Sequence, residues 1–266
     1  MNKPRFFFRQ HLIILLLIFI FIISCGRQKI RSDIPVEERL KIAIKMFDKR
    51  DFFDAKTQFR IITLSFSGNT LADKAQFYLA ECHFYLKEYI ISASEYERLI
   101  KVYPGSEYVD DAKYKLGLSY YELSPKSSLD QEYTIKAITE FQEFLEDYYS
   151  SSLVPEVEGK LLEAKNKLAQ KTFDAADQYR KMSYYTAAII YFSKVLENYY
   201  DSIYAPQAQY WLGECYRKLD NLTDARDAFN MFVKKYPKHE MIGKVRKKLQ
   251  EVVNELDKQK ENVTTK

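Results

Sequence analysis

Leu212-Gly213-Glu214-Cys215-Tyr216, then Ala225-Arg226-Asp227-Ala228-Phe229, then Tyr236-Pro237, reads as two helices folded back on each other. Leu212 and Tyr216 are four residues apart, as are Ala225 and Phe229, so each pair shares one helical face. Gly213 and Ala225 carry almost no side chain and let the helices approach closely. Tyr216 and Phe229 fill the space beside that approach. The frame recurs upstream. Ala188 and Phe192 lead to Val195 and Tyr199; Ala137 and Phe141 lead to Phe144 and Tyr148. Ala55 and Phe59 match Ser92 and Tyr96 after a shift of 37 residues, and Leu116-Gly117 with Tyr120 repeats Leu212-Gly213 with Tyr216.

A unit of this kind buries its apolar face only by stacking on neighbours. Leu212, Gly213, Tyr216, Ala225, Phe229 and Pro237 resemble the tetratricopeptide repeat, a helical hairpin of about 34 residues. Five units account for residues 36–238. Helix 240–258, rich in Lys and Glu, caps the stack within a domain spanning 36–260, and residues 261–266 are expected to be a disordered tail. The expected fold is all-α, a right-handed superhelix of five such hairpins with a C-terminal capping helix. Pro35, Pro104, Pro155, Pro206 and Pro237 fall where helical patterns start or stop, as the ring requires. Two spacings depart from 37. A polar insertion at Ser124 to Gln131 lengthens unit three. An extended first helix, about Pro155 to Met182, opens unit four, with Val157, Leu161, Leu162, Leu168 and Phe173 as its apolar pattern. Gly159 and Gly243 fall inside helical patterns, where each is expected to allow a close helix contact.

Ahead of the repeats, Lys3, Arg5 and Arg9 precede an apolar run from Leu12 to Ile23. That run is too short to span a bilayer as a helix, which needs about 20 residues, and has the form of a secretory signal. Ile22-Ile23-Ser24-Cys25 resembles the lipobox of bacterial lipoproteins. The resemblance implies a signal peptide over 1–24, acylation of Cys25, and a flexible tether over 25–35. Three acyl chains would make the attachment effectively permanent. Gly26 rather than Asp after the cysteine implies the outer membrane by the sorting rule of enteric bacteria.

Loss of residues 1–24 lowers the formal charge from +4 to +1, a balance that argues against nucleic acid as partner. Cys82 and Cys215 lie far apart in helical patterns and read as small buried apolar groups rather than a disulfide framework. His83 and His239 sit in separate regions without a second ligand at metal spacing, and His83 reads as a core residue. There is no Gly-rich phosphate loop and no nucleophile elbow. No catalytic, metal or cofactor site is expected.

The order of parts, from anchor to cap, resembles the BamD family, lipoproteins of the β-barrel assembly machinery in Gram-negative outer membranes. The segments that carry it are Tyr103 to Ala112, Gly117-Leu118-Ser119-Tyr120-Tyr121, Ala137 to Ser152, and Lys167 to Tyr179. The resemblance implies a non-catalytic scaffold, held to the membrane by its lipid. Its C-terminal repeats would hold the periplasmic domains of the barrel-forming subunit. Its N-terminal repeats would recognise unfolded outer-membrane proteins. Tyr204 to Gly213 also resembles periplasmic repeat proteins that serve envelope constriction or peptidoglycan synthesis, which leaves that alternative open. Aromatic grooves also bind sugars, so a glycan-binding lipoprotein is a third.

Carrying the repeat frame over places fixed positions of each first helix on the concave face. They are Leu40, Ile44 and Phe47 in unit one; Phe77, Glu81, Phe84 and Tyr85 in unit two; Tyr114, Leu118 and Tyr121 in unit three. Unit four gives Phe173, Asp177, Arg180 and Lys181, and unit five gives Tyr210, Glu214, Arg217 and Lys218. The first half is apolar and aromatic, suited to an extended peptide ending in aromatic residues. Arg180, Lys181, Arg217 and Lys218 suit an acidic patch on a folded partner, because Arg favours bidentate carboxylate contacts.

Overall fold

A computed structural model describes residues 34–264, with side chains to residue 261. The signal segment, Cys25 and the tether up to residue 33 lie outside the described residues. Eleven helices follow one another among the described residues: α1 Val36–Asp48, α2 Phe52–Ser65, α3 Ala72–Tyr85, α4 Tyr89–Val102, α5 Val109–Leu123, α6 Glu132–Asp147, α7 Val154–Lys181, α8 Tyr185–Asn198, α9 Ala205–Lys218, α10 Leu222–Lys235 and α11 Ile242–Thr264. Each packs on the next, giving five hairpins and a cap. No helix among the described residues is long and apolar enough to cross a membrane.

Four of the five hairpins turn by the same device. Arg50, Lys87, Ser183 and Asp220 have φ between 61° and 63°. At each, the backbone closes a Schellman pair, as in Asp51 N–H to Met46 O and Arg50 N–H to Phe47 O. Glycine usually takes this left-handed position, so its absence hides the turn from a sequence reading. In unit three the insertion 124–131 replaces it. There Gln131 donates to the carbonyls of Lys126 and Leu129, while Lys167 and Lys171 of α7 reach Ser124 and Leu129.

The close approach expected at Gly213 is present. A Cβ there would lie 2.6 Å from Phe229 Cε1, and one at Gly117 would lie 2.7 Å from Phe141 Cε1. Both rings are fully buried. Gly159 and Gly243 differ from expectation, because a Cβ at either would meet nothing within 4 Å. Neither glycine is there for a helix contact.

Polar pins join the two helices of a unit at one repeated position. Arg39 donates to Gln58, Gln76 to Glu95, Lys113 to Glu140 and Gln209 to the Ala228 carbonyl. Latches join successive units. Ser106 Oγ donates to Asp73 and Ser151 Oγ to Asp110, at 2.7 and 2.9 Å. Ser202 holds the equivalent place, but the residue facing it in the frame is Ala169, and its buried Oγ has no partner.

α7 spans the middle of the stack. Its first half closes the core of Tyr114, Ala137, Phe141 and Phe144 through Val157. Its second half enters the core of units four and five through Phe173 and Ala176. The buried residues between are Ala164 and Ala169, while Leu162 of the expected apolar pattern is exposed. α11 buries Val245 and Val252 on unit five and runs on through residues expected to be a disordered tail. The stretch Glu255 to Glu261 consists mostly of good helix formers, so nothing stops the helix at 258.

Candidate functional site: the first-helix face

Successive first helices touch one another, α1 with α3, α5 with α7 and α7 with α9. Their contact puts them on one side of the stack, and the residues expected to line the groove divide into three groups there.

Leu40 and Tyr114 belong to the core and not to the groove. Leu40 is 7% exposed and packs with Val36, Ala43 and Leu79, and Tyr114 is 3% exposed. The Tyr114 hydroxyl donates to Glu156 of α7 at 2.7 Å. A repeat frame identifies a helix face, but whether the next helix covers it depends on packing alone. Ile44 and Leu118 are half-buried against the same two cores.

Phe47, Phe77, Phe84 and Tyr85 form an aromatic surface in which Tyr85 is exposed and the other three are half-buried. Tyr85 is 49% exposed and stacks on Phe52 at 4.8 Å between centroids. Phe47 meets Phe52, Tyr78 and Tyr85 edge-on, at 5.3, 5.1 and 5.7 Å. Phe84 stands perpendicular to Tyr85, and Lys115 Nζ lies 5.1 Å from its ring centre. Lys115 is paired with the buried Glu81 at 3.2 Å, and Glu81 also accepts from the Tyr96 hydroxyl. Phe77 stacks on Tyr108. Phe52, Tyr78 and Lys115 were not among the expected residues. Phe52 joins through the turn before α2 and Tyr78 through the packing of α1 on α3, neither of which residue spacing conveys. Lys115, beside Tyr114, could have been found as a neighbouring face position.

Tyr121 is half-buried and in contact with α7. Lys160 and Lys167 lie 5.2 and 4.9 Å from its ring centre, and its hydroxyl donates to Glu163 at 3.0 Å. Burial and that carboxylate push the phenol up to about 12.

In the second half, three of the expected cations, Arg180, Lys181 and Arg217, are paired with acids. Arg180 donates to Asp177 Oδ1 through Nε and Nη2, at 2.9 and 2.7 Å, and Lys181 pairs with the other oxygen at 2.7 Å. Burial works against the Asp177 charge, but those bonds outweigh it and hold the carboxyl below its usual range. The Arg180 guanidinium also lies 3.8 Å above the Trp211 ring. Arg217 pairs with Glu214 at 3.3 Å, and Arg217 Nε and Glu214 Oε1 are buried without a hydrogen-bond partner. Lys218 is exposed. Lys244 of α11 lies 4.3 Å from the Tyr210 ring centre and 5.9 Å from that of Trp211. The half is therefore a ladder of ion pairs around Trp211, not a bare positive patch. Trp211 and Lys244 were outside the expected set, and Lys244 arrives only through the cap's packing.

His83 is buried, as expected. Its Nδ1 meets Glu88 at 2.5 Å and its Nε2 meets Arg60 at 3.0 Å. Arg can only donate, so Nε2 accepts and Nδ1–H donates to Glu88. Burial, chiefly, lowers the imidazole's affinity for a further proton. Cys82 and Cys215 are buried thiols pushed up by burial, to about 12 and about 11. No group of three His, Cys, Asp or Glu among the described residues is placed to hold a metal.

A family model described as YfiO, outer membrane lipoprotein, matches residues 32–228. Outer membrane protein assembly factor BamD of Rickettsia prowazekii is 25% identical over 225 residues, covering 84% of this chain and 90% of that protein. The protein of the same name from Xylella fastidiosa is 24% identical over 252 residues, covering 90% of this chain and 86% of that one. Among solved structures, the TPR2AB domain of yeast Sti1 is similar at 13% identity and a TM-score of 0.43, covering 83% of this chain and 84% of that one.

Proposed function

Because the chain belongs to the YfiO family of outer membrane lipoproteins, we propose that it is a lipid-anchored scaffold of outer-membrane protein assembly. Its relatives carry the name of an assembly factor over most of their length, and family and repeat fold alike are those of a scaffold rather than an enzyme. Cys25 carries the lipid on the periplasmic side of the outer membrane. The aromatic surface of Phe47, Phe77, Phe84 and Tyr85 takes extended segments of unfolded outer-membrane proteins. The ladder of Arg180, Lys181, Arg217 and Lys218 with Trp211 meets the periplasmic domains of the barrel-forming subunit.

The observation that carries the reading is the family match, which runs from before α1 into α10 and so takes in nearly all five units. The division of labour is supported by the contrast between the exposed Tyr85 with its half-buried aromatic neighbours in unit two and the paired charges near Trp211 in units four and five. An aromatic surface suits apolar segments, while half-buried Arg pairs on an aromatic ring are typical of interface anchors. The test is affinity purification of the tagged lipoprotein from extracted membranes, followed by mass spectrometry. A large barrel protein with periplasmic domains among the main partners is the expected result. Recovery of cell-division or peptidoglycan enzymes instead would overturn the function and leave the fold untouched.

A further inference from the structure

Three exposed apolar side chains occupy one repeated position in successive units. Phe53, Ile90 and Ile135 each precede by two the small buried residue of their unit, Ala55, Ser92 or Ala137. They are 57%, 62% and 54% exposed. Equivalent positions of stacked repeats fall in line, so the three form a row along the outer edge of units one to three. Ile91 and Leu129, also exposed, flank it. In units four and five the same position is Thr186 and Thr223. At this one position the row stops halfway along the stack, although Met182, Tyr184 and Leu219 are exposed at the turns of units four and five.

The charges beside the row are of both signs, and the exposed acids include Asp48. Lys49, Arg50 and Lys87 are exposed at the hairpin turns. Lys56 Nζ lies 5.5 Å from the Phe53 ring centre. Of the acids on this edge, Glu88 is tied to Lys56 and His83, and Glu132 to Lys136. Asp51 and Asp130 are exposed.

Chain length supplies the constraint. Val36 lies eleven positions beyond Cys25, a reach of at most about 38 Å when fully extended. α1 is about 20 Å long at 1.5 Å per residue. An anchor at Cys25 thus lets the turn end of units one to three reach the bilayer surface. Apolar tips with lysine and arginine beside them match the boundary between headgroups and acyl chains.

We infer that the Phe53–Ile90–Ile135 edge rests on the headgroup layer of the membrane that holds the anchor, with Lys49, Arg50 and Lys87 toward anionic headgroups. The inference rests on the Cys25 reading above. It gives the lipoprotein a second membrane contact, which fixes how the stack sits on the bilayer instead of leaving it to swing on its tether.

The test uses the full-length lipoprotein reconstituted into vesicles of phosphatidylethanolamine and phosphatidylglycerol. Cys82 and Cys215 are buried, so single exposed cysteines take a polarity-sensitive dye selectively. Ile90→Cys and Ile135→Cys are the probes, and Thr186→Cys and Thr223→Cys the controls. The expected result is a blue shift and quenching by a lipid-borne quencher at the two probes, with water-like emission at the controls. Water-like emission at all four positions would overturn the inference. A blue shift at the probes without lipid quenching would assign the row to a protein or a second copy, and would overturn it equally. Mass spectrometry of the same sample reads the anchor separately. A chain without acyl mass overturns the anchor and, with it, the reason to place this edge at a bilayer.

Discussion

Replacing Gly213 by Ala should destabilise the protein, while the same change at Gly159 should stabilise it. Both glycines lie inside helices, where Ala is favoured over Gly by about 1 kcal/mol. At Gly159 a Cβ meets nothing within 4 Å, so most of that gain survives. At Gly213 the Cβ lies 2.6, 2.8 and 2.9 Å from three atoms of the Phe229 ring. Ordinary carbon contacts need about 3.5 Å or more, so the ring must move by nearly an ångström. Phe229 is fully buried among Tyr210, Leu222, Phe232, Val245 and Val252, which leaves it no free direction. Overpacking of this kind costs roughly 1–3 kcal/mol, occasionally more. Net of the helix gain, Gly213→Ala loses up to about 2 kcal/mol. The gap between the two variants is the overpacking cost itself, about 1–3 kcal/mol, or roughly 2–12 °C in midpoint for a chain of this size. Thermal unfolding followed by circular dichroism reads it directly. Adding Phe229→Leu to Gly213→Ala should recover part of the loss, because the two changes share one contact. If Gly213→Ala gains as much as Gly159→Ala, close approach at Gly213 is not what sets the hairpin.

The latches give a second contrast. Ser151→Ala should cost about 1 kcal/mol by removing its bond to Asp110, whereas Ser202→Ala, which deletes a buried hydroxyl without a partner, should be neutral or stabilising. Denaturant midpoints decide it, and equal losses would show that Ser202 is bonded after all. In the aromatic surface, Phe84→Ala with Tyr85→Ala should weaken binding of an extended peptide ending in aromatic residues without loss of helicity. Leu40→Ala, in contrast, should destabilise unit one by roughly 2–5 kcal/mol. Titration calorimetry and thermal melts separate the two, and undiminished peptide affinity of the double variant would remove the surface from the binding role. His83 should make stability fall in mild acid. Its folded form resists protonation, while the unfolded side chain titrates near 6.5. The unfolded state therefore binds more protons below that value, and stability drops from there down to the folded pKa. His83→Gln should flatten the profile in that window, and an unchanged slope would place the acid sensitivity elsewhere.

The five hairpins could be read from the chain because each is a local pattern. Leu212, Gly213, Tyr216, Ala225 and Phe229 specify two helix faces and their closeness without reference to anything distant. The insertion at 124–131 and the long helix α7 were legible for the same reason, as breaks in a regular period. Burial of His83 followed from its place in the frame. Identity of the inner positions was legible as well, but their accessibility was not. Leu40 and Tyr114 occupy the same helix face as Phe84 and Tyr85, yet Leu40 and Tyr114 are buried while Phe84 is half-buried and Tyr85 exposed. Leu40 faces Leu79 of the next unit, and Tyr114 faces Glu156 at the start of α7, contacts set by how units stack. Tyr121 was expected in the groove and lies beside Lys160 and Lys167 because α7 runs past unit three, which its length permits but its sequence does not locate. Arg180 and Arg217 were read as cations offered to a partner. Their acids, Asp177 and Glu214, lie three residues away, near enough to be noticed, but the contact of Arg180 on α7 with Trp211 on α9, and the arrival of Lys244 from α11, come from packing. The chain thus determines which residues share a face, since helical periodicity is local. Only the tertiary structure decides which of those faces meets water, because that depends on the angle between one hairpin and the next.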